Sequence, residues 1–283
     1  MFEHHYEKLT DLTVHYVTAG EGKQTLVLLH GYPQSWYCWR EVIEYLAKDY
    51  RIIAPDLRGL GDTTRPASGY DKRTLGRDVI ELLDKLGVDK FAVVGHDWGG
   101  TVAFAVAADN PSRVTHLGVI DVAIPGDGQP NIGQGGKRWH HSFLQTLDLP
   151  EALINGREEY YFDWFFENYG HTRAAITREA RDEYMRNLNT PGALRAGFAY
   201  YREVTQDIRD NEARTEKLTI PCLALGGGGY WGRGGEVATS LRRMANKVTE
   251  IVVPECGHWV PEEKPQLLSE SIRDLLSLPS DME

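Results

Sequence analysis

Apolar and polar positions change period along this chain in a regular order. Residues about 4–19 alternate, Val14 and Tyr16 against Thr13 and His15, which predicts two exposed strands ending at Gly20 and Gly22. Thr25 to His30 is a continuous apolar run closed by a histidine, the pattern of a strand buried on both faces. Ser35 is placed to cap a helix running to about Lys48, with Trp36, Trp39, Val42, Ile43 and Leu46 on its inner side. Arg51 to Asp56 reads as another strand and feeds a turn-rich loop, Arg58-Gly59-Leu60-Gly61-Asp62. From Lys72 to Leu86 apolar residues recur at 75, 79, 80, 82, 83 and 86, a helical stripe closed by Gly87. Phe91 to Val94 is strand-like, Thr101 to Ala108 is a small-residue helical run stopped by Asn110-Pro111, and Val114 to Val122 is a strand carrying Asp121 near its end. Strands alternating with helices in this way specify an α/β fold with a mostly parallel central sheet and helices on both faces.

The alternation then stops. From about Gly126 to Asn211 the patterns are helical and dense in aromatics, among them Trp139, Phe143, Trp164, Phe165, Tyr200 and Tyr201. Strand–helix order resumes at Ile220–Leu225, followed by a helix near Glu236–Asn246, a strand at Val248–Val253 and a helix from about Lys264 to Leu276. Strands on both sides of the helical block need one another to complete a sheet. The expected organisation is therefore a discontinuous core, residues 1–125 and 214–283, with a helical lid inserted at 126–213, rather than two domains in tandem.

Composition narrows the function. A formal charge of −10 with no basic cluster argues against nucleic acid or an anionic membrane surface as partner. Cys38, Cys222 and Cys256 are odd in number and widely spaced, as expected for buried reduced thiols rather than disulfides or a zinc site. The polar start Met1-Phe2-Glu3-His4-His5 lacks the apolar stretch of a signal peptide, and no run reaches the length of a membrane span, so a cytoplasmic location is expected. A homodimer is compatible with general frequencies, with nothing specific in the sequence behind it.

Candidate chemistry centres on Gly95-His96-Asp97-Trp98-Gly99-Gly100, with a strand before it and a helix after it. This is the G-x-nucleophile-x-G frame of a sharp strand-to-helix elbow, with Asp97 where esterases and lipases carry serine. A chain that turns so sharply crowds the flanking positions, which must be nearly free of side chain. The apex is pushed out beside a helix N-terminus that favours an anion. A carboxylate there is suited to displacement at an sp³ carbon, giving an alkyl-enzyme ester.

Three further landmarks accompany the elbow in order: His30-Gly31-Tyr32-Pro33 followed by Ser35-Trp36-Tyr37-x-Trp39-Arg40, Asp56-x-Arg58-Gly59-x-Gly61-Asp62, and Gly257-His258-Trp259. Together they resemble the epoxide hydrolase branch of the α/β-hydrolases. Within the lid, Trp139-His140-His141-Ser142-Phe143 and Phe198-Ala199-Tyr200-Tyr201-Arg202 resemble the Cif-like epoxide hydrolases, and also fluoroacetate dehalogenases.

The resemblance implies an epoxide substrate, water as co-substrate, no cofactor and no metal. It makes Asp97 the nucleophile and His258 the base that activates water against the Asp97 ester. Many relatives place the triad acid after the strand that here is Pro221–Leu225, but this chain has Gly226-Gly227-Gly228-Gly229-Tyr230-Trp231-Gly232 there. Asp121 takes the role instead, with Glu236 as its rival; the glycine run has no following Lys-Ser/Thr and is not read as a phosphate loop. Tyr201 and His140 would donate hydrogen bonds to the epoxide oxygen, Tyr200 and His141 being the adjacent alternatives in register. Backbone N–H groups of Tyr32 and Trp98 would form the oxyanion hole, with a cis peptide at Pro33 as an option for fixing the loop. Trp98, Trp164 and Phe165 are expected to line the substrate pocket.

Dehalogenation with the same three groups is the second reading. Against it, Trp98 and Thr101 stand where fluoroacetate dehalogenases carry arginines, His141 stands where they carry a lid tryptophan, and Tyr32 replaces the asparagine common in haloalkane dehalogenases. A non-catalytic, ligand-binding relative of the fold is the third.

Overall fold

The computed structural model describes residues 2–126 and 133–280; residues 127–132, at the start of the predicted insertion, lie outside the described residues. Eight strands form one sheet: β1 (Glu3–Lys8), β2 (Thr13–Ala19), β3 (Thr25–Leu29), β4 (Arg51–Pro55), β5 (Phe91–His96), β6 (Val114–Ile120), β7 (Leu218–Gly227) and β8 (Ala245–Val253). Their order is β1-β2-β4-β3-β5-β6-β7-β8. β1 and β2 pair antiparallel, as do β2 and β4, while every pairing from β4 to β8 is parallel. β5, which leads to the elbow, lies between β3 and β6, so the loops after all three open at one edge of the sheet.

The six core helices are α1 (Arg40–Leu46), α2 (Lys72–Lys85), α3 (Trp98–Asp109), α10 (Glu236–Met244), α11 (Val260–Glu263) and α12 (Pro265–Leu276). Between β6 and β7 the described chain forms α4 (His140–Gln145), α5 (Leu149–Ile154), α6 (Glu158–Asn168), α7 (Arg178–Leu188), α8 (Ala193–Arg202) and α9 (Val204–Glu212). α3 is buried along nearly its whole length, which explains why its sequence has small residues all round and no polar stripe.

Two expectations need correction. β2 is not exposed: it lies between β1 and β4, and most of it is buried. The polar member of its alternation, His15, is covered by the loop after β4, with Nδ1 2.7 Å from Asp56 Oδ2. The helix after Ser35 begins as a 3₁₀ turn over Trp36–Trp39, and α1 ends at Leu46.

The helical block is fastened to the core by ion pairs. Lys72 Nζ, on α2, lies 2.8 Å from Asp207 Oδ2 on α9, both side chains being buried. The same Lys72 donates from Nζ to the Tyr200 carbonyl and lies 4.3 Å above the Trp98 ring. On the surface, Arg186 of α7 forms a two-pronged contact with Asp62, at 2.9 and 2.7 Å.

Candidate active site

The elbow gives Asp97 an unusual backbone. Its φ is 51° and ψ −131°, a conformation that costs a non-glycine residue of the order of 1–3 kcal/mol and persists only where neighbours enforce it. A Cβ at Gly95 would lie 2.0 Å from the Gly99 carbonyl oxygen, and one at Gly99 would lie 2.2 Å from that of Leu29. The two glycines are what let strand, elbow and helix close on one another.

Both oxygens of Asp97 are committed. Oδ1 accepts from the Tyr32 backbone N–H at 3.0 Å, and Oδ2 faces His258 Nε2 at 3.5 Å. The Tyr32–Pro33 peptide is cis. Burial would raise the Asp97 pKa, but the hydrogen bond and charge of His258, with help from His96 and the Trp98 amide, hold it well below the usual carboxylate range.

His258 Nδ1 lies 2.7 Å from Asp121 Oδ2. The other Asp121 oxygen accepts from the backbone N–H groups of Gly227 and Arg233, at 2.9 and 2.7 Å. The glycine-rich loop after β7 therefore cradles a carboxylate that arrives from β6. Burial opposes ionisation of Asp121, yet His258, Arg138 and the Arg233 amide keep its pKa below the ordinary value. For His258 burial favours the neutral form, and the two carboxylates outweigh it and raise the pKa. Glu236 is elsewhere: its carboxylate meets Gln134 Nε2 and Arg233 Nη1.

The main chain of His258 is clamped as well. Its N–H donates to the Tyr169 carbonyl at 2.8 Å, and its own carbonyl accepts from His96 Nε2 at 2.7 Å. Burial, reinforced by His258, pushes the His96 pKa down to about 4, so His96 is a neutral donor at physiological pH.

Asp97 and His258 form the floor of a cavity beneath the helical block. Tyr32, Leu144, Phe162 and Phe165 supply apolar wall, and Arg138, His140, Tyr169 and Tyr201 supply polar groups. Of the two register pairs, His140 and Tyr201 line the cavity. Tyr200 turns away and donates from Oη to the Arg58 carbonyl at 2.8 Å. His141 packs behind, against Trp98 and Tyr201 at ring-centroid distances of 5.6 and 5.1 Å. Burial, helped by Arg138, pushes His140 down to about 3, and burial raises Tyr201 well above the ordinary phenol value, so both are neutral groups that carry a proton.

Trp164 and the Trp98 side chain do not line this cavity, contrary to expectation. Phe162, Phe165, Phe166 and Tyr169 make the inward stripe of α6 and the residue after it, at spacings of three, four and seven. Trp164 falls off that stripe and is 36% exposed. Trp98 is 1% exposed and lies edge-on under the Tyr201 ring at 5.0 Å, where it supports the wall from behind. Sequence reasoning missed Arg138 and Tyr169. The stripe on α6 signals Tyr169; Arg138, two residues before His140, carries no comparable signal.

Among the described residues one group has metal-ligand spacing, His15, Asp56 and Asp62. Its ligand atoms are already engaged. Asp62 pairs with Arg186, while Asp56 accepts from the N–H groups of Trp36 and Asp62 and from His15. The donor set reads as a knot that fixes the loop after β4.

Fold and site together define a class. Residues 24–189 match the alpha/beta hydrolase fold family, and the chain belongs to that family. Within it, the chain belongs to the epoxide hydrolase branch. It is 40% identical over 278 residues to the soluble epoxide hydrolase of Corynebacterium sp. (strain C12), with 94% of each chain covered. Among solved structures, the ligand-free epoxide hydrolase CorEH is similar with a TM-score of 0.93 at 38% identity, covering 98% of this chain and 99% of that one. Cfl2 from Burkholderia cenocepacia is similar with a TM-score of 0.90 at 36% identity, covering 96% and 95%. Among the described residues no helix is long and apolar enough to cross a membrane.

Proposed function

We propose that this protein hydrolyses epoxides to vicinal diols through an alkyl-enzyme ester on Asp97. The observation that carries this reading is the line Asp97–His258–Asp121, with 3.5 and 2.7 Å between partners, under a cavity holding two neutral proton donors. Asp97 Oδ1 is held by the Tyr32 amide, so Oδ2 is the oxygen that attacks a ring carbon. The C–O bond of the ring breaks as the Asp97–carbon bond forms, and the leaving alkoxide is met by Tyr201 Oη and His140.

In the second half-reaction His258 takes a proton from water, which attacks Cγ of the ester. Negative charge develops on Oδ1, already at the Tyr32 amide, with the Trp98 amide bonded to the same carboxyl group. The adduct then collapses, the Cγ–Oδ2 bond breaks, and the two water protons, one carried by His258 and one left on the Asp97 carboxyl, pass to the two diol oxygens as Asp97 returns to a carboxylate. Asp121 holds the tautomer of His258 that leaves Nε2 free to accept, and stabilises the imidazolium that results. Phe162, Phe165 and Leu144 make an apolar part of a wall that also carries polar groups, which suits the hydrocarbon portion of a small epoxide. Residues 126–213 act as the lid over a core of residues 1–125 and 214–283.

Intact-protein mass spectrometry of His258→Gln tests the mechanism. Incubation with a styrene-type epoxide gives an adduct equal to the whole epoxide mass, located on the peptide containing Asp97. Asp97→Asn in the same background gives none. A carboxymethyl adduct from haloacetate, with none from the epoxide, would overturn the assignment in favour of dehalogenation.

A further inference from the structure

Tyr169 has no role in the mechanism above, yet it touches both ends of the site. Its backbone carbonyl accepts the His258 N–H at 2.8 Å, and its phenol oxygen lies 2.8 Å from His140 Nδ1. The side chain is 2% exposed and held face to face on Trp231, with ring centroids 4.3 Å apart at 15°, and edge-on to Phe165 at 4.9 Å. The phenol therefore has little freedom to point elsewhere.

We propose that Tyr169 is a positioning residue whose O–H donates to His140 Nδ1 and so fixes the His140 tautomer with its proton on Nε2. This rests on the reading of His140 as a donor to the leaving oxygen. A neutral imidazole has one N–H and one lone pair, and the hydrogen bond at one nitrogen decides which is which. Burial and Arg138 keep His140 neutral, and burial keeps the Tyr169 phenol protonated, so each ring brings one proton to the contact. If Nδ1 carried the imidazole proton, two donors would face each other across 2.8 Å, and the phenol would have to turn its own O–H away into the cavity that Tyr169 lines. The lone pair on Nε2 would then face the developing alkoxide and repel it. With Nδ1 as acceptor, Nε2–H is presented to the cavity that His140 lines. The same residue holds the His258 main chain, so donor and base are kept in register by one side chain and its own carbonyl.

The tautomer is read directly from two-bond ¹H–¹⁵N correlations of the ¹⁵N-histidine-labelled full chain, with His140→Gln to assign the signal. The expected spectrum has His140 Nε2 protonated and Nδ1 unprotonated; the opposite pattern overturns the proposal. Tyr169→Phe keeps the ring and removes the hydroxyl. It is expected to mix the two tautomers and slow alkylation of Asp97 by a styrene-type epoxide about tenfold, less than loss of a whole donor. In a His140→Gln background the same substitution is expected to add no further loss, because both act through one group. Unchanged alkylation in Tyr169→Phe, or losses that multiply, would overturn the proposal. Wild-type alkylation in His140→Gln alone would instead remove the role of His140 as donor, while the tautomer would still be decided by the spectrum. The wild-type spectrum decides even if Tyr169→Phe does not fold.

Discussion

Arg138 Nη2 lies 3.8 Å from Asp121 Oδ2, so the carboxylate that steadies His258 has a buried guanidinium beside it as well as an imidazole. The guanidinium is itself tied down, Nη2 donating to the Trp231 carbonyl at 2.7 Å and Nε to Gln134 at 2.8 Å. With His258 it helps keep the buried Asp121 carboxyl ionised.

This arrangement has a pH signature. His258 must be neutral to activate water; in the free enzyme its pKa lies above the ordinary histidine value, and ester hydrolysis falls as pH drops through the pKa that His258 has once Asp97 is an ester. Arg138→Met removes a cation that opposes protonation nearby, and is expected to move the acid limb of kcat upward in pH. Alkylation turns Asp97 from an anion into an ester and removes one of the two carboxylates that raise His258. The acid limb of kcat in the unsubstituted enzyme should therefore lie below the His258 pKa measured in the free enzyme. Steady-state pH profiles and histidine NMR titration check both statements.

Replacing the two rival acids should separate them cleanly. Asp121→Asn loses the anion that orients and stabilises His258, and a fall in kcat on the order of 10³–10⁴-fold is expected, with the ester accumulating. Glu236→Gln, near Gln134 and Arg233, is expected to leave kcat within about twofold and stability within about 0.5 kcal/mol. Single-turnover kinetics with mass detection of the ester gives the comparison.

The neighbouring tyrosines should fail in different ways. Tyr201→Phe removes a cavity donor, so alkylation should slow on the order of 100-fold while the melting temperature changes little. Tyr200→Phe removes the hydrogen bond to the Arg58 carbonyl, which should cost about 1 kcal/mol of stability and leave alkylation nearly intact. Measuring both quantities on both variants would expose a reversed register.

The buried pair between α2 and α9 makes a mechanical prediction. Asp207→Ala leaves Lys72 charged and buried without its carboxylate, at a cost of about 3–5 kcal/mol. Lys72 also stands over Trp98, which backs Tyr201, so loosening at this point should slow alkylation too. Denaturant unfolding and alkylation rates measured together test whether the two losses go hand in hand.

Most of the core was legible because each strand and helix carries its own period. The run from Thr25 and the stripe from 75 to 86 appear as β3 and α2 within a residue or two. Strand pattern put Asp97, Asp121 and His258 at strand ends or in the loop beyond one, but only the elbow frame around Asp97 signalled chemistry by itself; the roles of His258 and Asp121 came from the family resemblance. The cavity wall was less so. Apolar aromatics on short helices do not announce which way they face until the helices are packed. Trp164 was misplaced where the spacing of Phe162, Phe165 and Phe166 already pointed it outward. Arg138 stayed hidden because a lone arginine in a polar stretch looks like a surface residue, and its burial depends on partners distant in sequence, Trp231 and Asp121.

The loop after β7 binds Asp121 through the amides of Gly227 and Arg233 rather than through side chains. Backbone amides accept a carboxylate from any neighbouring strand whose end comes within reach, and here the close packing of the loop is what fixes one supplier, since a Cβ at Gly227 would lie 1.9 Å from the Gly257 carbonyl oxygen. Such a receptor separates the strand that carries the acid from the loop that holds it: the carboxylate comes from the end of β6, the amides from the end of β7 and the loop beyond, and His258 needs only that the two meet.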